Sequence, residues 1–358
     1  MSLSSRLSAA ASAALAGALV LALAACSGAA DAATVDGDGT TTIRYDGSAG
    51  QVTLPELADD LGYFEKVRLE WVGNSTGGPQ SIQSAATGAT DVGGAFNGAI
   101  VKLRSSGAKV TSVISYYGSD TKAFGGFYTL EDSPVVEARD LIGKKIGINT
   151  LGAQSEFVIR EWLAREGLEA DEIAQVELTV VPPVNAEQVL REGQVDVVAI
   201  SSVFQDKALE RGGLRLLFSE VELFGEFSYG SYIFRDDFIA EHPEAVADYV
   251  QGIARAIRWT QVTPVEEVHA RYTQIIEGRG RGETAELVPF WKSVGVSTPG
   301  GVIEEREIST WIDWLVRNGE LEEGRFSPDD VYTNEYNPYA NGTYEPDSGP
   351  DGEPVPAS

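Results

Sequence analysis

Along most of the chain, short apolar runs alternate with amphipathic stretches of helical period. Residues 42–45, 68–72, 90–94 and 110–116 read as strands, and 54–64, 79–87 and 98–105 as the helices between them. The second of these helices opens on Pro79 and stops near Gly88, the residue types favoured just inside a helix start and just past its end. A second set begins after Asp132-Ser133-Pro134, with strands at 144–148, 176–181, 195–200 and 215–218 and helices at 155–166 and 186–192. The period then turns helical over 243–259, 265–277, 283–293 and 306–317. Strands alternating with helices predict an α/β protein, here two sets with a helical stretch completing one of them. The predicted lobes are 41–130 with 234–323, and 134–228. The chain is expected to cross between them near 125–128 and 229–234, apolar, extended, glycine-containing segments suited to a two-strand hinge.

The ends follow a different grammar. Arg6 is followed by an Ala/Leu-rich run from about 9 to 25, which closes on Leu23-Ala24-Ala25-Cys26. A charged start, an apolar core and small residues before the cut describe a secretory signal peptide over 1–25. As a membrane-spanning helix, which needs about 20 apolar residues, the run is marginal. Its last four residues resemble the bacterial lipobox, which implies cleavage before Cys26, acylation of that residue and a lipid anchor on the outer face of the cell membrane. Cys26 is the only cysteine, so no intrachain disulfide is expected. Residues 26–40, rich in Gly, Ala and Asp, read as a tether. Residues 335–358 have no hydrophobic period and read as a disordered tail or a segment draped over the surface.

Charge narrows the chemistry. With 27 basic and 54 acidic residues the formal charge is −27, which argues against nucleic acid and against an anionic membrane surface. An anionic ligand remains compatible, because backbone donors can make a site locally positive. The two histidines, His242 and His269, lack metal-ligand spacing. There is no G-x-S-x-G elbow and no P-loop. The expectation is a monomeric binding protein without enzyme activity, metal or cofactor; 54 acids make chance carboxylate pairs common, so a carboxylate-pair enzyme stays the minor alternative.

Four stretches carry a family resemblance: 57–65, ending Gly62-Tyr63-Phe64-Glu65; Gly78-Pro79-Gln80 followed by 87–93; Asp140-Leu141-Ile142-Gly143-Lys144-Lys145-Ile146-Gly147; and 236–244. In this order and spacing the chain resembles the periplasmic binding proteins of the nitrate, sulfonate and taurine type, a group that also includes thiamine-pyrimidine binders. The resemblance runs from about 43 to 318. It implies a two-lobed type II periplasmic-binding-protein fold, each lobe a mixed sheet flanked by helices. It also implies a small-molecule solute captured by lobe closure, and an ABC permease with its ATPase as partners. A sensor or adhesin that keeps the fold but has lost its transporter is the alternative from another class.

Ligands of open α/β sheets bind beyond the carboxyl ends of the strands. That geometry and the resemblance together select Ser75, Thr76 and Gly77 after the second strand, Asn97 after the third and Tyr116 at the end of the fourth, with Gln51 ahead of the first helix. In the second lobe they select Gly152, Gln154 and Ser155 at a helix start, then Ser201, Ser202 and Phe204, with Tyr229 in the second crossing. Sulfonate-type members carry Gly-Ser where this chain has Gly152-Ala153, and a Trp-acid-Pro turn where it has Ser201-Ser202-Val203. Losing a hydroxyl donor and a bulky wall implies a larger pocket, suited to an organic or heteroaromatic solute.

Overall fold

The computed structural model describes residues 34–37 and 39–355; the expected signal peptide and the expected lipidation site, Cys26, lie outside the described residues. Three groups of strands organise the chain. In the first, β1 (Thr41–Gly47) pairs in parallel with β2 (Val67–Asn74). In the second, β10 (Phe227–Arg235) lies between β3 (Val92–Phe96) and β4 (Val110–Ser119), antiparallel to both. Asp91 stitches these two groups together. Its amide donates to the Arg44 carbonyl, and its fully buried carboxylate takes the Arg44 guanidinium at 2.7 Å.

The third group is a five-stranded mixed sheet of order β7-β6-β8-β5-β9. It comprises β5 (Gly126–Leu130), β6 (Lys145–Ile148), β7 (Glu177–Val180), β8 (Val197–Ile200) and β9 (Leu214–Ser219). The core members β6 and β8 are parallel and read as near-continuous apolar runs, as strands covered on both faces do.

Helices are set where the sequence supplies start and stop residues. In α1 (Leu54–Asp60) the Thr53 amide and hydroxyl both donate to Glu56, and Gly62, at φ +72°, turns the chain out. α2 (Gly78–Thr87) ends on Gly88 in the left-handed region. α3 (Asn97–Ser105) follows β3 directly. In the second lobe α4 (Gln154–Arg165), α5 (Ala170–Ile173), α6 (Ala186–Arg191), α7 (Ser202–Glu210) and α8 (Glu220–Phe224) cover the sheet or its edge. The chain returns through β10 to α9 (Asp236–Glu241), α10 (Pro243–Val262), α11 (Val265–Gly278) and α12 (Arg306–Arg317). α12 buries Ile308, Trp311, Ile312 and Leu315, one apolar stripe at helical spacing.

The structure corrects several expectations. The predicted crossings at 125–128 and 229–234 fall largely inside β5 and β10, and the chain changes sheets at residues 120–125 and 220–226 instead. Apolar, glycine-containing segments looked like hinges because they are the buried strands next to the hinges. The expected helix over 283–293 is an irregular segment with one 3-10 turn, Val288–Phe290, since Pro289 blocks helix continuation. The last residues pack as turns against α10. Asn337 and Tyr339 are buried, and Arg255 and Arg258 donate to the carbonyls of Pro350 and Ser348. Part of the expected tether is also ordered: Val35 bridges to Thr41, and Asp36 pairs with Arg68.

Candidate functional site

A cleft of about 440 Å³ opens where the carboxyl ends of strands from both lobes meet, and a second cavity of about 270 Å³ continues it under the same walls. The first lobe contributes the turns after β1 and β2. Ser75, Thr76 and Gly77 lead into α2, with the Thr76 amide and hydroxyl held by Gln80 Oε1 at 2.8 and 2.7 Å. A Cβ on Gly78 would lie 2.9 Å from the Ala95 backbone, so only glycine lets α2 start this close to β3. The second lobe contributes the starts of α4 and α7. Gln154 and Ser155 open α4, and Ser201 is the extended N-cap of α7. Ser202 follows at φ +54°, the only non-glycine residue with positive φ among the described residues, so backbone strain of order 1–2 kcal/mol is held at the cleft wall.

Aromatic rings form the floor. Tyr116, in the second half of β4, stacks on Tyr232 at 4.2 Å and meets Tyr117 edge-on at 4.8 Å. Tyr116 and Tyr117 stay half-exposed, whereas Tyr232 is buried. Burial pushes both the Tyr116 and Tyr117 hydroxyls above the usual phenol range, so they stay protonated donors. Leu287, Val288 and Trp291, from the irregular segment after α11, close one side.

Two carboxylates line the same space. Glu220 is fully buried and fully paired. Its Oε2 accepts from the Ser119 hydroxyl at 2.8 Å and the Gly125 amide at 3.0 Å, and its Oε1 accepts from Gln154 at 2.7 Å. Asp46, near the end of β1, accepts from the Ser81 hydroxyl at 2.9 Å through Oδ1, while its buried Oδ2 takes no hydrogen bond; the Ser75 hydroxyl, with that of Ser81, eases the cost of its charge. Burial pushes both carboxyls above the usual range, offset in part by these donors. No Lys, Arg or His is among the described residues lining either cavity. The described residues also hold no cluster of His, Cys, Asp or Glu suited to a metal.

The sequence-selected residues therefore divide. Gln51, Ser75, Thr76, Gly77, Tyr116, Gln154, Ser201 and Ser202 line the main cleft, and Ser155 and Phe204 line its continuation. Asn97, Gly152 and Tyr229 do not. Asn97 is fully buried at the start of α3, where it donates to the Glu307 carbonyl at 3.0 Å and accepts from Ser231 at 2.8 Å; it joins strands to α12. Gly152, at φ +73°, turns the chain before α4, and its amide is held by Glu156 at 2.9 Å. Tyr229 lies beneath the floor, packed on Phe227 and Trp311. Asp46, Glu220 and Trp291 were not anticipated. The acids carry no motif, and Trp291 sat in a stretch that mimics helical spacing.

Two lobes of α/β architecture facing each other across a solute-sized cleft define a periplasmic-binding-protein type II fold. The chain matches the NMT1/THI5-like family over residues 52–267 and belongs to that family. A Brucella abortus protein, provisionally described only as a binding protein, is 26% identical over 60% of this chain and 65% of its own length, so the chain spans just under two thirds of that relative. Among solved structures, the alkanesulfonate-binding protein SsuA of Xanthomonas axonopodis, bound to MOPS, superposes with a TM-score of 0.62 at 18% identity, covering 82% of this chain and 98% of that one. The nitrate-binding protein NrtA of Synechocystis superposes with a TM-score of 0.65 at 15% identity, covering 87% of this chain and 92% of that one. At these identities the likeness to the two structures shows the fold.

Proposed function

We propose that this protein is the extracytoplasmic solute-binding component of an ABC importer, exported by its N-terminal signal and anchored through acylated Cys26. It captures a small organic solute in the cleft and presents it to a permease and its ATPase. The observation that carries this reading is the cleft itself: of about 440 Å³, within the range of small-molecule sites, and lined by polar side chains from both lobes. A solute touching both walls stabilises the closed arrangement, because it gains its full set of contacts only there. The family, and relatives whose descriptions name binding, support the same reading.

A sulfonate- or nitrate-like anion is suggested by the named ligands of the structural neighbours. The half-exposed Tyr116 and Tyr117 and the nearby Trp291 favour a second kind of solute, a heteroaromatic one such as a thiamine pyrimidine, because flat rings suit aromatic walls. A thermal-shift screen with sulfonates, taurine, nitrate, thiamine pyrimidines and other small heteroaromatics tests the function. A ligand of the folded state raises the melting temperature in a concentration-dependent way. A shift with any of these solutes supports solute capture, and the absence of a shift across the set counts against it. Fractionation of cells carrying Cys26→Ala tests the anchor; protein still bound to membranes would remove the lipid.

A further inference from the structure

The charge inside the cleft is one-sided. Asp46 and Glu220 face the cavities, and none of the described lining residues is basic. Cations stand near the rim but not in the lining: Lys122, just before Ala123, is exposed, Lys292 pairs with Asp206, and three others are committed elsewhere. Arg281 approaches Gly47 but pairs with Glu56 at 2.6 Å, donates to the Tyr45 hydroxyl oxygen at 2.9 Å and stacks on Trp71. Beyond Phe204, Lys207 pairs with Glu286 at 3.3 Å and Arg211 with Glu187 at 2.7 Å.

The two acids differ in what they still need. Both Glu220 oxygens are occupied by protein donors. Asp46 Oδ2 has no donor, although bulk water barely reaches it. A buried acceptor left open is costly unless a ligand fills it. The helix starts of α2, α4 and α7 carry partial positive charge, which by itself favours an anion. Each start supplies about half a charge spread over its first turn, and Thr76 and Gln154 there are already engaged with Gln80 and Glu220. Asp46 is a localised full charge when ionised, with an open oxygen.

We propose that the solute presents a positively charged, hydrogen-bond-donating nitrogen to Asp46 Oδ2, carried on a compact aromatic body that lies against Tyr116 and Tyr117. This rests on the solute-capture reading above and narrows it to organic cations: amines, amidines or protonated heteroaromatic rings. The tyrosine faces reinforce the choice, since an aromatic face attracts a cation.

The test uses the purified full chain and a charge series of similar size: benzamidinium and phenethylammonium as cations, benzamide as the neutral analogue, and benzenesulfonate and ethanesulfonate as anions. A cation of this series is expected to raise the melting temperature where its neutral and anionic counterparts do not. Asp46→Asn keeps the shape and the bond from Ser81, and should weaken that cation at least tenfold in calorimetry. The wild-type charge series stands independently if the variant folds poorly. A shift produced only by the neutral or anionic probes, or a cation whose affinity is unchanged in Asp46→Asn, overturns the cation and leaves solute capture standing. No shift with either cation likewise overturns it; if the broader solute screen is also silent, the solute-capture reading falls with it.

Discussion

Asn97 and Asp46 are both polar residues at strand ends, and the structure gives them opposite work. Asn97 joins β10 to α12 through two buried hydrogen bonds. Asn97→Ala leaves the buried Ser231 hydroxyl without its acceptor and removes a second donor from the helical Glu307 carbonyl, so it should cost about 1–3 kcal/mol in urea unfolding. Solute affinity of the folded fraction should not change; a loss of affinity at full stability would return Asn97 to the site. Asp46 predicts the reverse. Its pKa is raised by burial, so relative to the unfolded chain the carboxyl adds stability when protonated, fully so below its unfolded value of about 4. That contribution is lost as pH rises through the higher folded value. Asp46→Asn, which cannot ionise, should therefore melt above the wild type at pH 7.5, with the gap closing as pH falls toward 4; a gap that widens in acid would refute the sign. At this scale the polar turns were readable, because Ser, Thr and Gly between a strand and a helix mark a helix start. The acids were not, since nothing local separates Asp46 from the other acids of so acidic a chain.

Elements meet at the cleft floor with almost no spare room, and glycine sets the spacing. A Cβ on Gly230, in the middle of β10, would lie 1.9 Å from the Tyr117 ring and 2.6 Å from the Ala95 carbonyl. Gly118 and Gly295 stand in the same relation where β4 passes the segment after Trp291, with a Cβ on Gly118 falling 2.4 Å from the Gly295 carbonyl. Gly230→Ala must either push Tyr117 into the cleft or spread β3 from β10. It should cost about 1–3 kcal/mol by overpacking, and solute affinity should fall with it. A variant as stable as the wild type, with unchanged binding, would show the floor to be softer than it looks. Such close approach explains what hydrophobic pattern could and could not deliver. Strand and helix identity came through wherever a period was sustained, as in α10 and α12. The buried strands β5 and β10 were taken for hinge crossings, because a strand buried on both faces shows no alternation to distinguish it from any apolar stretch.

Between the lobes, the molecule is less divided than a two-lobe description suggests. Phe157 on α4, which follows β6 of the five-stranded sheet, inserts among residues of the first lobe: Phe96 at 4.8 Å, Trp311 at 6.2 Å and Trp314 at 4.3 Å. Arg317 of α12 reaches Glu161 of α4 at 3.1 Å beside it. One apolar cluster thus runs under the cleft floor through both lobes. Any opening of the cleft has to pivot about this cluster, because separating the rings would expose aromatic surface at about 25 cal/mol per Å². The same continuity couples the two lobes in unfolding. Phe157→Ala removes a fully buried ring from the joint and should cost about 3–5 kcal/mol. Calorimetry should then show a single transition moved to lower temperature, with both lobes lost together. Two resolved transitions in the wild type, or a Phe157→Ala effect confined to one of two, would mean that the lobes fold as separate units and that the shared cluster is only a contact between them.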